Sequence, residues 1–316
     1  MVALQRTDKA HKPVRHSRQN QPMHSLAPAT TPSPAPIAHY ENFPVASFLC
    51  PAHLRAPIAA IYHFARTADD IADEGDATAE VRLAELAAYR ADLHHTAQQG
   101  GTHSSVRWPQ VFTPLAATIG QHQLPVQLLD DLIDAFDQDT RKTAEGSGYA
   151  NDAELLDYCR RSANPVGRLL LHLYGVNDDL ALQRSDAICS ALQLINFWQD
   201  LSVDLPRGRY YLPADALTKS ALTQENLQIA ASNGQQTQSA TQLIAARAHS
   251  ARALMLFGSK LVHQVPGRAG WELRLVVQGG LRILDRMAAL NYATLTQRPQ
   301  LHKWDYAVMA WRALWM

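Results

Sequence analysis

The chain has 316 residues, 47% hydrophobic and 18% charged, and its 29 Lys+Arg balance its 29 Asp+Glu. That length holds one or two domains with a sizeable core, and the balanced charge argues against nucleic acid as a partner, because phosphate binding needs a basic surface. No run of about 18 apolar residues could span a bilayer, and the three cysteines (Cys50, Cys159 and Cys189) have no CxxC spacing, so they read as small core residues in a reducing compartment.

Residues 1–36 combine Pro13, Pro22, Pro28, Pro32, Pro34 and Pro36 with the cations Arg6, Lys9, Lys12, Arg15 and Arg18. Such a segment buries too little apolar area to fold and reads as a disordered basic tail. A basic arm for anionic lipid or a targeting peptide are the alternatives; a secretory signal is not, since there is no apolar h-region. From about residue 37 the pattern is helical. Helices are predicted over 54–72, 78–96, 126–136, 153–174, 181–203, 238–262 and 273–295, separated by Gly-, Ser- and Asn-rich loops. No alternating strand runs and no fixed repeat occur, so the expectation is one all-α domain over 37–299. Residues 300–316 carry Trp304, Tyr306, Trp311 and Trp315. They read as a terminal aromatic segment that packs on its own domain or lies at a membrane interface.

Two stretches carry chemistry. Residues 64–74, FARTADDIADE, set Asp69, Asp70 and Asp73 in an otherwise apolar helix, with Asp73 one turn beyond the other two. Carboxylates so close resist burial unless a cation joins them. Arg66, one turn earlier, is one candidate; a hard divalent ion such as Mg²⁺ is another. Residues 193–213, QLINFWQDLSVDLPRGRYYLP, repeat the idea: Asn196, Asp200 and Asp204 share a face, the helix stops at Pro206, and Arg207 and Arg209 follow. Carboxylates that hold metal beside guanidinium groups make a grip for a diphosphate. Two such groups facing each other in a bundle point to ionisation of an allylic or cyclopropylcarbinyl diphosphate, with apolar and aromatic walls sheltering the cation. Residues 130–134, DDLID, have the same spelling as DDIAD, but Asp137 and Asp139 follow them, which suits a solvated face.

FARTADDIADE and NFWQDLSVDLPRGRYYLP together resemble the two signatures of the squalene and phytoene synthases, the head-to-head prenyl synthases, over residues 39–299. The resemblance implies a single-domain isoprenoid synthase helical bundle with a central cavity. It implies two or three Mg²⁺ ions, held by Asp69, Asp70, Asp73, Asn196, Asp200 and Asp204. It further implies a substrate-binding set of Phe43, Tyr62, Arg66, Asn196, Gln199, Arg207 and Arg209, with Tyr158 at the reacting centre. HYENFPVAS at 39–47, YCRRSANPVG at 158–167 and NFWQD at 196–200 look like the bacterial hydroxysqualene branch. That branch converts presqualene diphosphate to hydroxysqualene and diphosphate by ionisation, rearrangement and water capture, without NADPH. Gln199 stands where condensing relatives carry Arg, and Asn42 where a Ser often holds diphosphate; a site for one diphosphate instead of two could lose cationic grip. The alternatives are condensation of two prenyl diphosphates and a non-catalytic prenyl-lipid-binding helical protein. The expected partners are the prenyl diphosphate and neighbouring enzymes of the squalene pathway. The expected place is the cytoplasm, with peripheral contact to the inner membrane as the apolar product's chemistry invites. Arg160, Arg161 and Arg168 read equally as surface charges or as neighbours of the site, and Asn164-Pro165 as a kink or as a shaper of the cavity.

Overall fold

The computed structural model describes residues 50–100 and 105–316. Phe43, Asn42 and residues 1–36 lie outside the described residues. Among the described residues there are helices and no strands, as the all-α expectation required.

Helix α1 (Ala52–Asp73) buries Leu54, Ile61, Phe64, Ala65 and Ala68 on one face, and that face runs on into Asp69. Its neighbour α2 (Ala79–Gln98) starts at Thr78, whose hydroxyl accepts the Val81 N–H. Helices α3 (Pro109–His122) and α4 (Val126–Glu145) complete the first half. The sequence did not announce α3, because Pro114 and Gly120 sit inside it; Pro114 falls in its second turn. Phe64, Tyr89, Trp108, Phe112, Leu129 and Ile133 form the core of this half. There Tyr89 stacks on Phe64 at 5.1 Å and donates its hydroxyl to the Phe64 carbonyl.

The predicted helix over 153–174 is two. α5 (Asp152–Ser162) ends at Ala163, which leaves the helical conformation, and α6 (Asn164–Leu173) restarts with Pro165 in its first turn. The Ser190 hydroxyl donates to Asn164 Oδ1 at 2.9 Å and fixes that break against α7 (Asp179–Gln199). Gly167 is required there, since a Cβ would lie 2.6 Å from Cys189 Sγ. α7 is capped by Asp178, buried on nearly every side, and forms the axis of the second half. Around it stand α11 (Gln238–Gly258) and α12 (Gly267–Ala289), where a Cβ on Gly280 would meet Met255 Cε at 2.7 Å. The predicted helix over 181–203 is also interrupted: α7 stops at Gln199, and a single turn, α8 (Leu201–Asp204), carries the next carboxylate. Two short helices, α9 (Ala214–Lys219) and α10 (Gln224–Asn233), cover this end.

The C-terminal segment is a helix packed on its own domain. α13 (Lys303–Leu314) runs antiparallel to α12, with Asp305 fully buried between Arg282 and Arg286 at 2.6 and 2.7 Å. Burial alone would raise the Asp305 pKa. The hydrogen bonds from Arg286, the His302 N–H and Arg282 outweigh it and hold the carboxyl at about 2.

Candidate active site

The two halves meet along a seam where Ala65 of α1, Leu132 of α4 and Val166 of α6 touch. A cavity of about 90 Å³ lies there. Asp69 reaches it from α1, Asn196 from α7, Asp200 from the junction that follows, and Asp204 from α8. The two aspartate-rich stretches, more than a hundred residues apart in sequence, therefore open onto one space. Phe136, Tyr158, Phe197 and Tyr211 line its apolar side. Phe197 stacks on Tyr211 at 3.7 Å with the rings 8° apart, and Tyr158 lies 6.2 Å from Phe197. These π-faces and the small apolar groups around them suit a carbocation.

Each carboxylate group is balanced by arginine. Arg66 holds Asp69 at 3.2 Å and Asp70 at 2.5 Å within α1. Burial works against the Arg66 charge, but Asp69, Asp70 and Asp73 prevail and raise its pKa. Arg209 reaches across the seam to Asp73 at 3.4 Å, and both side chains are buried. This ion pair joins the first aspartate stretch to the loop that follows the second. Arg298 grips Asp200 through two hydrogen bonds, 2.7 and 3.2 Å. Sequence reasoning missed Arg298, which lies 98 residues from its partner in a segment without a motif. Among the described residues no three carboxylates converge as a ready metal site; Asp69 and Asp70 share Arg66, and Asp73 turns to Arg209 instead. The donor set itself fits a hard cation. It offers oxygen from four carboxylates (Asp69, Asp139, Asp200 and Asp204) and from the amides of Gln193 and Asn196 around a single cavity. Buried donors also remain unspent: Arg66 Nε, Arg209 Nε and Nη1, Asn196 Nδ2 and Ser162 Oγ have no hydrogen-bond partner. Buried polar atoms without partners are costly; of these residues Asn196 and Ser162 line the cavity, while Arg66 and Arg209 stand behind it, paired with Asp69 and Asp73.

Several predicted residues lie elsewhere. Gln199 is buried facing away from the cavity and donates to the Pro299 carbonyl at 2.7 Å. Gln199, expected in the substrate-binding set, is thus tied to the segment after α12 and is not among the residues lining the cavity. Tyr62 is buried in α1, close enough to Arg66 to affect its charge, and is not on the cavity wall. Arg207 is exposed on the turn before Gly208. Arg160 pairs with Asp157 and Arg168 with Asp186 at the surface, while the half-buried Arg161 pairs with Asp157 and donates to Gln138. Asp139, read as solvated, is buried on the cavity wall and accepts the Tyr211 hydroxyl at 3.1 Å. The spacing Leu132, Phe136, Asp139 on α4 carries that signal, since those three share a face. Tyr149 was also missed. It lies 5.5 Å from Tyr158, and burial followed by the Asp139 charge raises its pKa, so its hydroxyl stays protonated.

The squalene/phytoene synthase family description matches residues 37–305. A hydroxysqualene synthase of Sinorhizobium fredii is 34% identical over 263 residues, 83% of each chain. A hydroxysqualene synthase of Zymomonas mobilis is 38% identical over 188 residues, 59% of each chain. Among solved structures, squalene synthase HpnC from Alicyclobacillus acidocaldarius aligns with a TM-score of 0.71 and 35% identity, covering 81% of this chain and 91% of that one.

Proposed function

The chain belongs to the squalene/phytoene synthase family, whose members are enzymes acting on prenyl diphosphates, and we propose that it converts presqualene diphosphate to hydroxysqualene, with residues 37–299 as the synthase domain. One observation carries the reading: Asp69, Asn196, Asp200 and Asp204 share a cavity whose other wall is aromatic. The similarity to two hydroxysqualene synthases and to a squalene synthase of known structure supports the choice of substrate.

The reaction breaks the bond between carbon and the diphosphate oxygen, and the diphosphate leaves with the electron pair. The cyclopropylcarbinyl cation then rearranges, the oxygen of one water closes on it, and one proton is lost. Bound Mg²⁺, held by Asp69, Asp70, Asp73, Asp200 and Asp204 with Asn196 in support, would neutralise charge on the departing diphosphate. Arg66 and Arg209 carry unspent buried donors beside those carboxylates, and preorganised donors of this kind stabilise charge as it develops. The rings of Tyr158, Phe197, Tyr211 and Phe136 hold the cation in a wall that admits little water until rearrangement is complete. Tyr158 forms part of that wall.

Incubation with presqualene diphosphate alone, against farnesyl diphosphate alone, tests the reading. Hydroxysqualene from the first and no C30 product from the second is the expected result. A C30 product from farnesyl diphosphate, with none from presqualene diphosphate, overturns it in favour of condensation.

A further inference from the structure

Trp304, Trp311 and Trp315 of α13 are 82%, 62% and 77% exposed. Their spacing of seven and four residues puts them on one stripe, opposite the buried Asp305, Met309 and Ala313 that fix the helix to α12. The Trp311 and Trp315 rings meet edge-on at 5.8 Å. Trp271 of α12, 44% exposed, stands next to them: Arg274 lies 4.6 Å from its ring centre and donates to the Ala313 carbonyl at 3.2 Å. Four of the chain's six tryptophans thus gather on one outer face. A scattered surface tryptophan needs no explanation, but a contiguous aromatic face does.

The surroundings identify what covers it. His302, Lys303 and Arg312 are exposed beside the stripe, Arg312 paired with Asp285 at 2.7 Å. Protein–protein interfaces are depleted in Lys, whereas tryptophan flanked by cations is the pattern of helices lying at an anionic bilayer surface. The placement suits a long apolar substrate. Arg298, which grips Asp200 at the cavity, is six residues before Trp304. Six residues span at most about 22 Å. We propose that α13 and Trp271 form an interfacial docking face for an anionic lipid bilayer, which holds the catalytic cavity within reach of prenyl chains dissolved in it. The proposal does not depend on which prenyl diphosphate is the substrate.

Co-sedimentation of the full chain with vesicles tests it. We expect binding to phosphatidylcholine vesicles containing phosphatidylglycerol, weaker binding to phosphatidylcholine alone, and weakening by high salt, as screening requires. The W304S/W311S/W315S variant should partition at least tenfold more weakly, while its circular dichroism and its turnover of detergent-dispersed substrate stay unchanged. Failure of the parent chain to bind any vesicle, or equal binding by the folded variant, overturns the proposal. So does loss of a dimer in the variant without any vesicle binding by the parent, which would make a second copy the occupant.

Discussion

Residues 69–73 and 130–134 both spell DDxxD, yet they occupy opposite kinds of surface. On α1, Asp69 opens into the cavity, and Asp73 meets Arg209 across the seam. On α4, Asp130 and Asp134 turn outward to Arg90 of α2, with Asp130 also near His94 and Asp131 accepting from Gln127. The face of α4 that does reach the cavity carries Leu132, Phe136 and Asp139 instead. Spelling is therefore silent about use. What separates the two is which side of each helix is covered by the other half of the molecule.

The largest effect separates them by turnover. Asp69→Ala and Asp200→Ala should each lower kcat by a factor of about 10³ or more, the scale seen when a preorganised charge-stabilising group is removed. Asp130→Ala and Asp134→Ala should stay within about twofold, and Asp134→Ala, whose carboxylate is 42% exposed, should change stability by no more than about 1 kcal/mol. Comparable losses in the two sets would break the comparison.

Arg209→Met sharpens it. The seam pair and two unspent donors go together, so kcat/KM should fall by roughly 10- to 100-fold, the equivalent of about 1.5–3 kcal/mol for hydrogen bonds to charged groups. Arg209→Lys should recover little, because a point charge does not replace a fork of donors. A Lys variant with full activity would mean that charge alone matters there.

Burial by itself does not mark the chemistry, and Asp305 shows this. It is more completely buried than Asp69, yet it only ties α13 to α12. Its folded pKa of about 2 lies below the 3.8 usual for an aspartate. Its contribution to stability is therefore complete above about pH 4 and is lost as pH falls towards 2. Asp305→Asn should lower stability at pH 7 and flatten that part of the acid limb, with turnover at pH 7 and moderate temperature little changed. An unchanged acid limb in thermal unfolding would contradict the assignment.

Much of this was legible in the sequence. Periodicity located the long helices, and the two aspartate stretches predicted a shared site because carboxylates in apolar helices need a common cation. What could not be read depends on contacts between distant segments. Arg298 meets Asp200 only because the chain after α12 returns to the cavity. Gln199 is held by the same return, donating to the Pro299 carbonyl. The break at Ala163 and the stop at Gln199 divide helices that periodicity runs together, and both breaks lie beside the cavity, where a straight helix would not turn Asn164 or Asp204 to its present place.

The central claim is that DDIAD and NFWQDLSVD form one clamp for a single diphosphate. Isothermal titration of inorganic diphosphate with Mg²⁺ present measures it without catalysis. The account predicts saturable binding by the parent protein and by Asp130→Ala, and at least tenfold weaker binding by Asp69→Ala and by Asp200→Ala. It also predicts that the Asp69→Ala/Asp200→Ala pair loses less than the sum of its single changes, because both sites hold the same ligand. Diphosphate binding that survives in Asp69→Ala or Asp200→Ala at parental strength would contradict the clamp.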